Sequence, residues 1–253
     1  REWFLGALIN TISNEQQFII IGTLLHPLSL LKEVIERKEV FRDFIVRKYR
    51  ALENGNSIWE EKWSTGALMQ RKADIGTYKF QSEFQNEPMA SDTVLIKPEM
   101  IQVWDTLPPF KRVVMAIDPA ASEKDSADET AIVVMGITED THFYEIYSTS
   151  GRWNLFDMQE EVFEAFQKFP QIEKILVESI AFQMVLKHVF IKFGKERGVP
   201  LPVELVTLGA FKIGERRQSR DKYSRLVSVS HLFEQKLVWL KNQKLRDQLL
   251  LFP

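Results

Sequence analysis

The sequence predicts an α/β protein, and three observations carry that prediction. Apolar runs of strand length recur and end in turn-forming or charged residues: Gln17 to Ile21, Val113 to Ile117, Thr130 to Ile137, Lys174 to Val177 and Val203 to Val206. Between the later runs lie segments with helical spacing, such as Leu155, Met158, Val162, Phe166 and Phe169. The chain has 253 residues, enough for one large domain or for a domain plus a smaller piece.

From Arg1 to about Ile35 the order reads helix, strand, helix. The strand, Gln17-Phe18-Ile19-Ile20-Ile21, is continuously apolar and suits a parallel strand buried on both faces. Gly22-Thr23 turns the chain at its C-terminal end, where open α/β sheets bind ligands. No partner strands follow nearby, so this reads as a piece of a sheet, and an orphaned strand is an exposed-edge liability. Arg1-Glu2-Trp3-Phe4 resembles the middle of a helix, and with no initiator Met the chain is expected to be a fragment. Val40 to Phe110 reads as a connecting region, with a strand at Phe44-Ile45-Val46, an aromatic stretch at Trp59 and Trp63, and a helix ending near Glu83.

From Arg112 the order is clearer. Val113 to Ile117 ends in Asp118-Pro119, and a loop of small and charged residues leads to the strand Thr130 to Ile137. Phe143 to Tyr147 follows through Thr138-Glu139-Asp140, a spacing that suits an antiparallel meander. Then come a helix over Leu155 to Phe169, the strand ending in Glu178, a helix from about Phe182 to Glu196, and the strand Val203 to Val206. A basic helix over about Arg220 to Glu234, the run Val238-Trp239-Leu240 and a last short helix complete the chain. Three antiparallel strands followed by alternating helices and strands is the RNase H-like order. The expectation is therefore a mixed five-stranded sheet flanked by helices over 91–253, preceded by a smaller piece over 1–90. Fold order alone establishes no activity.

Composition narrows the chemistry. Cys is absent, which excludes a disulfide framework and a thiolate metal site. No apolar run approaches the ~18 residues of a membrane span, and no signal peptide is visible. No GxxxxGK[ST] phosphate loop occurs, and no GxSxG hydrolase signature. The four His are scattered without ligand spacing. With a net charge of −2, an enzyme acting on DNA must concentrate its positive charge locally and gather its carboxylates at a metal site.

Both features are visible. Asp118 and Glu178 each follow an apolar strand directly, and in the proposed topology those strands are neighbours. Hard divalent cations take oxygen ligands, and a pair of ions about 4 Å apart suits phosphodiester cleavage. The plainer reading has Asp118 capping a turn before Pro119 and Glu178 capping the next helix. Asp125 and Asp128 lie in the loop after Asp118; Asp128 could act as an accessory ligand, or both could belong to a solvated acidic loop. Lys212, Arg216, Arg217, Arg220, Lys222 and Arg225 stand against only Glu215 and Asp221, a local charge of +4. That is either a solvated stretch or a track for a phosphate backbone, since phosphate contacts supply most non-specific DNA affinity.

These residues resemble those of phage terminase large subunits. Phe80-Gln81-Ser82-Glu83-Phe84-Gln85-Asn86-Glu87-Pro88 is similar to the family's F..E(Y/F)QN(E/D)P element between packaging ATPase and nuclease. Ile19-Ile20-Ile21-Gly22-Thr23 resembles the ATPase strand whose Gly-Thr is associated with coupling hydrolysis to movement. Ala116-Ile117-Asp118-Pro119-Ala120 with Asp128-Glu129-Thr130-Ala131 resembles the first nuclease motif, and Ile175-Leu176-Val177-Glu178-Ser179 the second. Lys222-Tyr223-Ser224-Arg225 followed by Leu237-Val238-Trp239 resembles the basic helix before the last strand, and Leu249-Leu250-Leu251-Phe252-Pro253 the closing LL.FP run.

The resemblance implies a partial P-loop-type ATPase subdomain over 1–90, retaining the coupling residues Gly22 and Thr23 but no ATP site. Over 91–253 it implies a nuclease using two Mg²⁺ or Mn²⁺ ions, held by Asp118 and Glu178 with Asp128 accessory. Arg216, Arg217, Arg220, Lys222 and Arg225 would bind the backbone of concatemeric double-stranded viral DNA. It also implies a small terminase subunit and a capsid portal as partners, and the host cytoplasm as location. The family's third carboxylate is expected after Pro253, with Asp247 read as a surface helix residue. The alternatives are another RNase H-like nuclease, such as a transposase or resolvase, and a motor or scaffold fragment that binds without cutting.

Overall fold

A computed structural model describes residues 3–8, 11, 13, 17–26, 29–37, 39, 41, 44–89, 94–119, 129–178, 183–206, 211–213, 216–218 and 222–252. The chain divides into two units, Arg1–Thr93 and Val94–Phe252.

The first unit holds a single π-helical turn at Phe4–Leu8 and the helix α1 (Leu30–Glu36). The Ser29 side chain starts α1 by accepting from the Lys32 N–H at 3.3 Å. Strands β1 (Leu52–Glu53) and β2 (Asn56–Ser57) form a hairpin turned by Asn54-Gly55, both at positive φ, the chemistry a two-residue hairpin loop demands. Helix α2 (Thr65–Glu83) begins at Ser64, which accepts from the Ala67 N–H. It is interrupted at Gly76 (φ 82, ψ 160), a conformation open to glycine. A small aromatic cluster packs Phe18 and Phe44 against buried Phe4, Val34 and Phe41.

The residues after α2 act as a clasp. The Phe84 carbonyl accepts from the Ala51 N–H at 2.8 Å, and Gln85 Oε1 from the Leu52 N–H at 3.4 Å. Asn86 accepts from the Leu24 N–H at 2.9 Å and donates to the Tyr49 carbonyl at 2.8 Å. Glu87 pairs with Lys48 and Arg50. The expected strands at Gln17 to Ile21 and Phe44 to Val46 require correction, because among the described residues neither segment joins a ladder. Apolar content favours burial, but a strand exists only with a hydrogen-bonded neighbour. Without one, Ile19 is 73% exposed, Ile21 92% and Ile45 88%.

The second unit is a mixed sheet flanked by helices. Its elements are β3 (Arg112–Asp118), β4 (Thr130–Ile137), β5 (Phe143–Gly151), α3 (Leu155–Lys168), β6 (Ile172–Glu178), α4 (Gln183–Glu196) and β7 (Val203–Val206). A small hairpin of β8 (Phe211–Ile213) and β9 (Arg216–Gln218), helix α5 (Lys222–Glu234), β10 (Val238–Trp239) and α6 (Gln243–Leu251) follow. The strand order is β10-β5-β4-β3-β6-β7. β3, β4 and β5 form an antiparallel meander, while β6 and β7 add in parallel beside β3.

The sheet has six strands, not the expected five. Val238 and Trp239 pair in parallel with Phe143 and Tyr144, a short edge strand stapled by stacking of Trp239 on Tyr144. One sheet face supplies Val113, Met115, Ile117, Ile132, Val134, Ile175, Val177 and Val203 to the core. Met158, Val162 and Phe163 of α3, with Leu186, Phe190 and Phe193 of α4, cover that face. No helix among the described residues is long and apolar enough to cross a membrane.

Candidate active site

Strand alternation decides what the other sheet face presents. Along β3 the buried residues are Val113, Met115 and Ile117, so Ala116 and Asp118 fall on the opposite face, and both are exposed. β3 and β6 run parallel with Ile117 paired to Val177, and each strand ends one residue later, at Asp118 and at Glu178. The same row continues through Ala131 to Ser150 on one side and Val206 on the other. Asp118 and Glu178 thus end two neighbouring parallel strands at their C-terminal edge, where open sheets offer ligand sites.

Among the described residues the Asp118 carboxylate has no hydrogen-bond or ion-pair partner, and the turn that it would cap, from residue 120 onward, lies outside them. The Glu178 side chain, Asp125 and Asp128 lie outside the described residues. Within the described residues no group of three or more His, Asp or Glu is arranged to hold a metal ion. The donor chemistry of Asp118 and Glu178, two adjacent carboxylate residues at one open edge, fits a hard divalent cation.

The basic stretch contains a hairpin that spacing did not reveal. Its register sets Lys212 opposite Arg217 and Ile213 opposite Arg216. Lys222 opens α5 and Arg225 lies half-buried within it. The side chains of Arg216, Arg217 and Lys222, and the whole of Arg220, lie outside the described residues. Gly22 and Thr23 are exposed, in a turn where the Thr23 carbonyl accepts from the Leu25 N–H at 3.1 Å. Asp247 sits on the exposed surface of α6 and accepts from Gln243, as expected of a surface residue.

Two polar clusters on this side of the sheet escaped sequence reasoning. Glu129 accepts from Lys244 Nζ at 2.6 Å and from Ser150 Oγ at 2.6 Å, and Lys244 also donates to Ser150 Oγ at 2.9 Å. The Lys244 ammonium, then the Ser150 hydroxyl, hold the Glu129 carboxyl below its ordinary range. Deeper in the fold, Glu145 is 2% exposed and accepts from Ser148 Oγ at 2.9 Å and from the Lys241 and Asn242 N–H groups at 2.6 and 2.9 Å. A register shift between Val134 and Met135 sets Glu145 opposite Met135. A lone Glu inside an aromatic strand was the available signal for Glu145; nothing in the sequence ties Lys244 to Glu129, 115 positions away. Comparison with models of protein families and with curated proteins finds no match for this chain.

Proposed function

We propose that this chain carries a two-metal-dependent DNA endonuclease of the RNase H-like type, the nuclease of a viral genome-packaging terminase that cuts concatemeric double-stranded DNA. The observation that supports the reading is the parallel pairing of Ile117 with Val177, one residue before Asp118 and Glu178 end their strands at the C-terminal edge of the sheet. The order of motifs from the QNEP clasp to the closing LL.FP run supports it. The segment over 1–90 is read as the tail of a P-loop-type ATPase subdomain, with Gly22 and Thr23 its coupling residues.

Asp118 and Glu178 would hold the Mg²⁺ or Mn²⁺ ions, with Asp128 as accessory ligand. When bound, such ions polarise the phosphoryl oxygens and lower the pKa of a coordinated water. The two carboxylates would supply the hard oxygen donors that such ions prefer. Backbone binding falls to the basic stretch. Lys212 stands opposite Arg217 in the backbone register of the hairpin, which gathers basic residues in one short segment. Arg216, Arg220, Lys222 and Arg225 extend that positive field. Nothing in the sequence resembles a base-reading helix, so sequence preference should be weak. The small terminase subunit and the portal are the partners this reading implies, in the host cytoplasm.

The test is cleavage of supercoiled plasmid by the whole natural polypeptide in Mn²⁺, Mg²⁺ and EDTA, with Asp118→Asn and Glu178→Gln beside it. Metal-dependent cutting should fall at least 100-fold in either variant, with unchanged circular dichroism. A protein that binds DNA tightly but never cuts it would sink the nuclease and favour a packaging motor or scaffold.

A further inference from the structure

We infer that Lys244, held in place by Glu129 and Ser150, is a phosphate-contacting residue for double-stranded DNA bound across the Asp118–Glu178 edge. The inference rests on the nuclease reading for the orientation of the DNA, but its test does not depend on cleavage.

Position is the first argument. Lys244 Nζ lies 2.9 Å from Ser150 Oγ, and Ser150, Ala131 and Asp118 are successive partners in one row across β5, β4 and β3. Two antiparallel ladder steps measure about 10 Å. Partners in one row share a sheet face, so the ammonium and Asp118 stand on the same side. A DNA strand carries a phosphate on every nucleotide, so a cation about 10 Å from Asp118 is within reach of a phosphate close to the one at Asp118. Ala116 and Asp118 are exposed, so that face is open beside the row.

Rigidity is the second. α6 is registered to the sheet at its first turn: the buried Glu145 carboxylate accepts from the Lys241 and Asn242 N–H groups, and Asn242 donates to the Ser148 carbonyl at 3.2 Å. Asn242 also caps α6 by accepting from the Leu245 N–H at 3.3 Å. Lys244, the second residue of the helix, therefore has a fixed origin, and Glu129 and Ser150 fix its end. Ordering a lysine costs rotamer entropy, and here that cost falls on folding rather than on DNA binding.

Chemistry is the third. An ammonium has three donors, of which Glu129 and Ser150 take two. The Lys244 side chain is 55% exposed, so the remaining donor has access to solvent and to a phosphate. A surface ion pair of this kind contributes only about 0–1 kcal/mol to stability, so structure alone is a weak reason for so fixed a cation. Asp118, Glu178 and Glu129 make this edge acidic, and a polyanion approaching it needs a counter-charge.

The experiment measures affinity for short duplexes of unrelated sequence in EDTA, across a salt series, for the whole natural polypeptide and for Lys244→Gln, Lys244→Arg and Glu129→Gln. Metal-dependent plasmid cleavage by the wild type and by Asp118→Asn runs in parallel. Lys244→Gln should flatten the slope of log affinity against log salt by about 0.9 on every duplex. Lys244→Arg should restore the slope. Glu129→Gln should keep the slope, because the cation that meets the phosphate remains. A purely structural pair predicts the opposite pattern, similar losses of thermal stability in Lys244→Gln and Glu129→Gln with the salt slope untouched, and that result overturns the inference. An unchanged slope alongside Asp118-dependent cutting overturns the inference and leaves the nuclease standing. A flattened slope with no Asp118-dependent cutting does the reverse.

Discussion

At the scale of single residues, buried Glu145 is the most exacting group in the second unit. Its carboxyl group accepts from one hydroxyl and two backbone N–H groups, all part-buried. Glu145→Ala leaves those donors unmet and is expected to cost about 3 kcal/mol or more, read as a drop in urea midpoint; Glu145→Gln, which keeps one acceptor oxygen, should cost less. Carboxyl titration is the second prediction at this scale. Glu129 is held below its ordinary value of 4.5 by Lys244 and Ser150, and Glu204 below 4.5 by Lys174. A depressed folded-state value means that the unfolded chain binds more protons below pH 4.5, so this contribution is full above that pH and lost as pH falls through the folded values. Thermal midpoints should therefore decline between about pH 5 and 3. Lys244→Gln should show a shallower decline, because Glu129 then keeps only the smaller lowering from Ser150 and Arg152.

At the scale of elements, close approach and capping decide how the pieces meet. α4 ends against its own return loop. A Cβ built on Gly194 would sit 2.4 Å from the Val199 carbonyl oxygen, and the Gly194 carbonyl already accepts from the Val199 N–H at 2.9 Å. Backbone cannot move aside as a flexible side chain can, so Gly194→Ala should destabilise by about 1–3 kcal/mol, with the thermal midpoint as readout. In the first unit the clasp after α2 carries comparable weight. Asn86 joins Leu24 to Tyr49 through both ends of its amide. Asn86→Ala breaks both bonds and is expected to cost about 1–3 kcal/mol. Amide exchange localises the loss: it should quicken at Leu24, whose N–H donates to Asn86, and leave β4 protected.

At the scale of the whole molecule, the two units differ in how much apolar surface they cover. The second buries a continuous layer of strand residues under α3 and α4. The first leaves Ile19, Ile21, Ile45 and Tyr49 exposed around an open groove. Exposed contiguous apolar surface drives association. Ile21→Lys combined with Ile45→Lys should therefore reduce light scattering on concentration while leaving the thermal midpoint nearly unchanged. A large fall in midpoint would show that these side chains are buried in solution.

The sequence by itself determined the order of elements in the second unit, because strand and helix periods are local properties of three or four consecutive turns or alternations. β3, β4, α3, β6 and β7 fall close to where Val113–Ile117, Thr130–Ile137, Leu155–Phe169, Lys174–Val177 and Val203–Val206 set them. It also singled out Asp118 and Glu178, since a carboxylate ending an apolar run marks the rim of a sheet. Tertiary structure decided what depends on pairing. It added Val238–Trp239 as a sixth strand and, among the described residues, left Gln17–Ile21 and Phe44–Val46 without ladders, because a strand is completed by a neighbour that no local pattern encodes. It folded Phe211–Gln218 into a hairpin that sets Lys212 against Arg217. It gave the QNEP segment a physical role, with Gln85, Asn86 and Glu87 each spending a side chain on the chain between Leu24 and Leu52. And it brought Lys244 to Glu129 and Ser150, with Ser150 one strand from Ala131 and two from Asp118 along a single row, because sheet pairing joins residues that sequence separation holds apart.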